Sequence, residues 1–508
     1  MKKLVSNVCL LALCVVAQGA TTYYVSPTGN NSNNGTSTNT PFQTLNYAAN
    51  RLTSAGDTLY VRGGTYASTG TITIARSGTL SAPINILAYP GDPIPVIDWS
   101  FFSTSDYIWL SGSYVNLSGL EIRNSGKDGI SFVGTHNTVR QCKIHNNKAC
   151  GVYFWSGYNT FQGNIVYSNC LNNAGGAMGS GGWPAAVSMT STLSSNIIRG
   201  NIVYNNWGEG INLWWGPINN IVEDNVSYDN YAVNYYLDGA SGTLFQRNIS
   251  YHTAGHAFLN SHSALFTTAN EQATHVSNNN TIINNLIFQT STAVGKAITI
   301  FPWSTTKMTN VVFANNTIVN VPLYGPAASL IGTGNVFVNN IFSTGNSIPA
   351  AGITWSNNLW SGSRPANAVG AGDIVNQNPR VAATGNTGPG QLTADYFKLL
   401  PNSPAINAGS SIPQRTADYF GLGFVGTPDM GAMEYGAGIT LAISNTASGS
   451  QLRLAGWGGT ATPVICASTN LLAWTPMYTS SPALSPIQYL DSAATNFPTR
   501  VYRASLRP

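Results

Sequence analysis

The chain has 508 residues, of which 43% are hydrophobic and only 8% charged, with a formal net charge of +4. That charge content is far below the roughly 25% of an average globular protein, yet aromatics at 11% exclude a disordered composition. The basic residues form no stripe, so the composition excludes a nucleic-acid-binding surface.

The chain begins "MKKLVSNVCLLALCVVAQGA". Lys2 and Lys3 precede a short apolar run, and Ala17-Gln18-Gly19 supplies small residues for cleavage. This predicts a signal peptide over 1–19 and an exported protein, secreted or periplasmic. No later run of 18 apolar residues follows, so no transmembrane span is expected. Four cysteines then remain: Cys142, Cys150, Cys170 and Cys466. They lack metal-ligand spacing, and Cys150 and Cys170 are either a disulfide or buried free thiols.

Next, "TPFQTLNYAANRL" places Phe42, Leu45, Ala49 and Leu52 on one helical face. A short helix there would cap the open end of a solenoid. Residues 20–100 are read as this cap and the first coils.

A repeat dominates 101–361. "NTVRQCKIHNN" starts at Asn137, "NTFQGNIVYSN" at Asn159, "NIIRGNIVYNN" at Asn196, "NIVEDNVSYDN" at Asn220, "GTLFQRNISYHT" at Gly242 and "NTIINNLIFQT" at Asn280. Successive starts lie 22 to 24 residues apart, except where sequence near Leu171 and Ser261 lengthens a coil. Short period-two stretches within each unit predict three strands per coil. The fold class is therefore all-β: a right-handed parallel β-helix with an N-terminal capping helix and a small C-terminal β-sandwich-like domain. Asn164, Asn201 and Asn225 share one repeat position and are expected to stack as a hydrogen-bonded ladder. Residues 362–436 are expected to end the helix. Residues 437–508 are read as a β-rich accessory or surface-attachment module. A monomer is expected.

The segments "YYVSPTGNNSNNGTSTNTPFQTLNYAANRL" and "GDTLYVRGGTY" resemble the opening of secreted right-handed parallel β-helix proteins, including the family 9 polysaccharide lyases (pectate lyase-like). "YFKLLPNSPAINAGSSIPQRTADYFG" with "TPDMGAMEYG" is similar to a terminal segment of such bacterial proteins. The resemblance covers nearly the whole mature chain. It implies a polysaccharide partner, and for a lyase a calcium-binding aspartate cluster and a lysine base in a sequence like DGFxxK. This chain departs from that pattern. Asp128-Gly129-Ile130 is followed by Val133 and Gly134, with no lysine. The metal-binding residues are therefore unassigned, and calcium is tied to the lyase alternative.

Aligning coils on Ile130, Val152, Val187, Ile211, Val233, Ala257 and Ile298 as inward positions predicts what faces the cleft. One outward column holds Asn212, Asn234 and Phe258. A second holds Trp155, Trp214, Tyr236 and Asn260, placing Trp214 beside Tyr236 as a platform for sugar rings. A third sets Asp238 next to His262. Glu209 lies at a strand entry, with His256 as its nearest partner and Asp238 about 20 Å away along the strand. The expected substrate-binding residues are Trp155, Asn212, Trp214, Asn234 and Tyr236. The catalytic candidates are Glu209, Asp238, His256 and His262: a carboxyl as acid or base, with imidazoles tuning protonation. The expected activity is glycosidic cleavage of a polysaccharide, by hydrolysis or by β-elimination. The alternative is a non-catalytic glycan-binding or cell-surface β-helix.

Overall fold

The computed structural model describes residues 19–68, 70–100, 107–179, 182–191, 194–253, 256, 263–290, 298–301, 307–325, 331–345, 352–446, 448–456, 460–479, 483–484, 486–497 and 499–507. The proposed leader, His262 and Ala257 lie outside these.

Each coil contributes one short strand to each of three parallel sheets, of 13, 11 and 13 strands. Every strand pairs with the equivalent strand of the coils before and after it. Ile130, for example, lies between Ile108 and Val152, and Ile144 between Ile122 and Val166. This is the parallel β-helix expected from the repeat. Its interior is a continuous apolar column fed by alternate residues of all three sheets, including Phe132, Phe154, Phe161, Leu213 and Val222. Phe132 and Phe154 stack with centroids 4.6 Å apart.

The asparagines hold the corners. Each side-chain oxygen accepts the backbone N–H of the equivalent asparagine one coil earlier: Asn201 from Asn164 at 2.9 Å, Asn225 from Asn201 at 2.9 Å and Asn248 from Asn225 at 3.0 Å. The same column runs on through Asn285, Asn316, Asn340 and Asn358. A buried corner amide has no sheet partner and costs about 1–3 kcal/mol if left unpaired. The side chain supplies that partner, which is why these buried positions are polar. Many other corners put Asn at positive φ, Asn146 and Asn205 among them, a region that Asn tolerates better than most residues.

The cap forms as expected, with a single helical turn at Leu45–Ala49. Phe42, Leu45, Ala49 and Leu52 are all buried over the first coils. After the last paired strand, Ile374–Val375, the chain turns back along the outside. Leu392, Phe397, Ala432 and Met433 cover Tyr228, Ile249, Tyr251 and Leu286 of one 13-stranded sheet. Gly431 N–H donates to the Asn339 carbonyl at 2.6 Å. Residues Thr440–Arg507 build small antiparallel sheets around Leu452, Leu454 and Ile465. The four cysteines are buried and free, which answers the Cys150–Cys170 alternative. No helix among the described residues is long and apolar enough to cross a membrane.

Candidate active site

The 11-stranded sheet carries the candidate site. Two of its strands are longer than their neighbours: Ala185–Thr190 and Glu209–Trp214. They pair in register, Ala185 with Glu209, Ser188 with Asn212 and Thr190 with Trp214. The next coil corrects the sequence alignment. Tyr235 pairs with Ile211, Tyr236 with Asn212 and Asp238 with Trp214. The inward residue is Tyr235, 1% exposed, and Val233 is only half-buried. The asparagine ladder explains the offset. Asn206 N–H donates to Asn230, 24 residues on, and the strand keeps that spacing instead of the 22 that Val233 implies.

Three expectations change as a result. Trp214 lies beside Asp238 instead of Tyr236, so the Trp214/Tyr236 platform does not form. Asn234 is interior, donating to Ser250 Oγ at 3.2 Å and the Tyr251 carbonyl at 3.1 Å, and faces no ligand. The next rung is the strand Phe266–Ala269, pairing Tyr236 with Thr267 and Asp238 with Ala269. That strand comes from inside the stretch read as a loop. Phe258, Asn260 and His262, which the alignment assigned to this rung, lie outside the described residues. The charge of His256 acts on buried His252, adding to the lowering that burial imposes there.

Glu209, Asp238 and a third carboxylate, Glu271, converge on this face. Glu209 is 8% exposed. Burial pushes its carboxyl up to about 8. The bond from Asn212 opposes the rise, and the charges of Glu271 and Asp238 add to it. Its Oε2 accepts from Asn212 Nδ2, and the Trp183 side chain also hydrogen-bonds it. The strand offset between Glu209 and Asp238 is five residues, roughly 16 Å between Cα atoms. The Glu209 side chain leans along the strand toward Asn212, which shortens the gap between the carboxyls.

Asp238 ends its strand, 2% exposed. Burial raises its carboxyl to about 7, Glu271's backbone N–H opposes the rise, and Glu271's charge adds to it. That amide donates to Asp238 Oδ1 at 2.8 Å. Tyr236 Oη donates to Glu271 Oε1. Thus Asp238, Tyr236 and Glu271 form one linked unit beside Glu209. The Asn212 Oδ1 is buried with no hydrogen-bond partner, an acceptor left open in the middle of the site.

Glu271 and His275 are the residues that sequence reasoning missed. Both follow the unrecognised strand. The only legible signal was glycine. Gly216 and Gly239 adopt φ of +93° and +64°, and a Cβ on either would strike His275. Aromatic rings rim the groove: Trp155 and Trp215 are 49% and 44% exposed, Trp155 lies 4.6 Å from Tyr153, and Trp215 lies 5.5 Å from Trp214.

The residues do not fit a calcium site, which needs six to eight converging oxygen ligands. Asp238 commits one oxygen to a backbone amide and Glu209 one to Asn212. Among the described residues, no three His, Cys, Asp or Glu side chains are placed to hold a metal ion.

The family model described as the Pel9A-like, right-handed β-helix region matches residues 23–293. The chain belongs to this family. It is 27% identical over 427 residues to pectate lyase L of Dickeya dadantii, spanning 81% of this chain and 90% of that protein. It is 26% identical over 219 residues to pectate lyase PEL9 of Emericella nidulans, spanning 40% of this chain and 52% of that one. The crystal structure of pectate lyase Pel9A matches with a TM-score of 0.53 at 22% identity, covering 82% of this chain and 97% of that one. The Pel9A-like region of this chain contains Glu209, Asp238 and Glu271.

Proposed function

We propose that the chain is an exported enzyme that cleaves glycosidic bonds of a polysaccharide at the Glu209–Asp238 groove. One observation carries the reading: two buried carboxyls, both pushed up by burial, share a face bearing exposed aromatic rings with an unpaired acceptor, Asn212 Oδ1. A carboxyl held protonated near neutral pH is a general acid, and a neighbour that ionises first is a general base. The named similarity to pectate lyases supports a polysaccharide as substrate.

The chemistry of the residues favours hydrolysis. Glu209 donates its proton to the leaving glycosidic oxygen as the C–O bond breaks. Asp238 takes a proton from the attacking water, whose oxygen forms the new bond to the anomeric carbon. Asn212 Oδ1 accepts from a sugar hydroxyl. The second reading, β-elimination beside a uronate, is favoured by the pectate lyase relatives. It places a substrate carboxylate against three protein carboxylates, with no lysine or arginine acting on Glu209 or Asp238.

Digestion of polygalacturonate, xylan and galactan tests both readings. Hydrolysis releases reducing ends without absorbance at 235 nm, and elimination releases both together. Binding without either signal would support the non-catalytic alternative.

A further inference from the structure

Trp183, Trp207 and Tyr231 have no role in the reaction above, yet they occupy one position on three consecutive coils. The pairings Ala185–Glu209 and Ile211–Tyr235 both step by 24 residues. Carried back two residues from Ala185–Glu209 and four from Ile211–Tyr235, that register aligns 183 with 207, and 207 with 231. All three side chains are half-buried and stand outside the core. Tyr231 is the hub, 5.8 Å from Trp183 at 78° and 5.8 Å from Trp207 at 46°.

The inserted segment after Cys170 is fitted to this stripe. Asn173 Nδ2 donates to the Trp207 carbonyl at 2.6 Å, anchoring the root of the insertion. Gly176, at φ +79°, lies so close that a Cβ there would sit 2.6 Å from Tyr231 Oη. The insertion ends at Trp183 itself, whose side chain hydrogen-bonds Glu209. One wall therefore joins the stripe to the acid.

We propose that Trp183, Trp207 and Tyr231 form a pyranose-stacking subsite on the strand-entry side of Glu209, opposite Trp214 and Trp215. Aromatic faces take the apolar face of a sugar ring, and polar edges at the rim orient it. In this arrangement one part of the glycan rests on the stripe and another on the Trp214–Trp215 side, with Glu209 between them. The position beside Glu209 rests on the proposed function, whereas the binding itself does not.

The test is affinity electrophoresis of full-length Glu209→Gln protein in gels containing polygalacturonate, xylan or galactan. At least one glycan is expected to retard it. Adding Trp207→Ala or Tyr231→Ala is expected to weaken that retardation roughly ten-fold, the loss of one good stacking contact. Trp207→Phe should restore most of it, and melting curves should confirm that the variants are folded. A folded Trp207→Ala protein with unchanged retardation overturns the subsite. So does failure of all three glycans to bind. Stripe-dependent binding by a wild type that releases no products would keep the subsite and overturn the proposed function instead.

Discussion

Two faces of the same solenoid carry buried acids and treat them in opposite ways. On one 13-stranded sheet, Glu223 is bracketed by Arg199 and Arg247, and Asp224 meets Arg247 at 2.8 Å. Burial pushes Glu223 up, but Arg247, Gln246 and Arg199 hold its carboxyl below the usual range. On the 11-stranded sheet, buried Glu209 and Asp238 have amide and indole partners, exposed Glu271 just beyond it has a phenol partner, and the charges acting on Glu209 are carboxylates. Compensated charge is what a surface needs to stay folded. Uncompensated charge keeps protons available, which catalysis uses and stability resists.

Aromatic residues divide the same way. His145, Tyr167, Tyr204, Tyr228 and Tyr251 form a ladder on the other 13-stranded sheet, with centroids 4.5 to 5.3 Å apart. The returning C-terminal segment covers its far end. On the 11-stranded sheet, Trp155 and Trp215 are 49% and 44% exposed.

The sharpest way to break the comparison is to exchange the acids' side chains. Glu209→Gln is expected to lower the rate of reducing-end release roughly 10²–10⁴-fold, the usual share of general acid catalysis. Glu223→Gln should leave that rate within about two-fold. If the two variants behave alike, the functional contrast between the faces is wrong. In the wild type, an acid near 8 and a base near 7 predict a pH–rate optimum between these values. A rate still rising at pH 9.5 would contradict the assignment.

Stability should show the mirror image. Glu223→Gln strips charge from two arginines and is expected to cost about 1–3 kcal/mol, seen as a lower urea midpoint. Glu209→Gln should do the reverse at alkaline pH. The folded carboxyl sits at about 8, above its ordinary value near 4.3. The folded state therefore binds that proton more tightly than the unfolded chain. The stabilisation is complete below about pH 4.3 and fades as pH climbs to about 8. Glutamine has no proton to lose, so the melting temperature of Glu209→Gln relative to wild type should rise between pH 5 and 8.5. A flat difference would refute the burial-driven shift.

The smallest effect is expected from Tyr236→Phe. It removes the hydroxyl that holds Glu271 and should reduce kcat/KM roughly five-fold, the worth of one hydrogen bond, with little change in melting temperature.

The coil architecture was legible because each unit repeats the same corner chemistry, as Asn164, Asn201 and Asn225 do. The cap was legible because Phe42, Leu45, Ala49 and Leu52 have helical spacing. Glu209, Asp238 and Asn212 were legible as candidates because a polar residue in an apolar strand stands out. Their neighbours were misplaced because a strand's register is invisible locally. Ala232-Val233 matches the pattern as well as Tyr235 does, and a two-residue slip keeps every residue on the same face. Only the Asn206–Asn230 bond, a contact between coils, decides between them. Glu271 and His275 could not be found by repeat alignment at all, because they stand in non-repeating sequence. Phe266–Ala269 was hidden because its two threonines are adjacent, which breaks the alternation that marks a strand.

The long asparagine column has a consequence for how the molecule withstands proteolysis. From Asn164 to Asn358 each corner amide is held by the coil after it. A protease that trims one end gains only one coil at a time, because each remaining coil keeps its own link to the next. Glu209 and Asp238 lie well inside that chain of links, so the groove should outlast the loss of coils at either end.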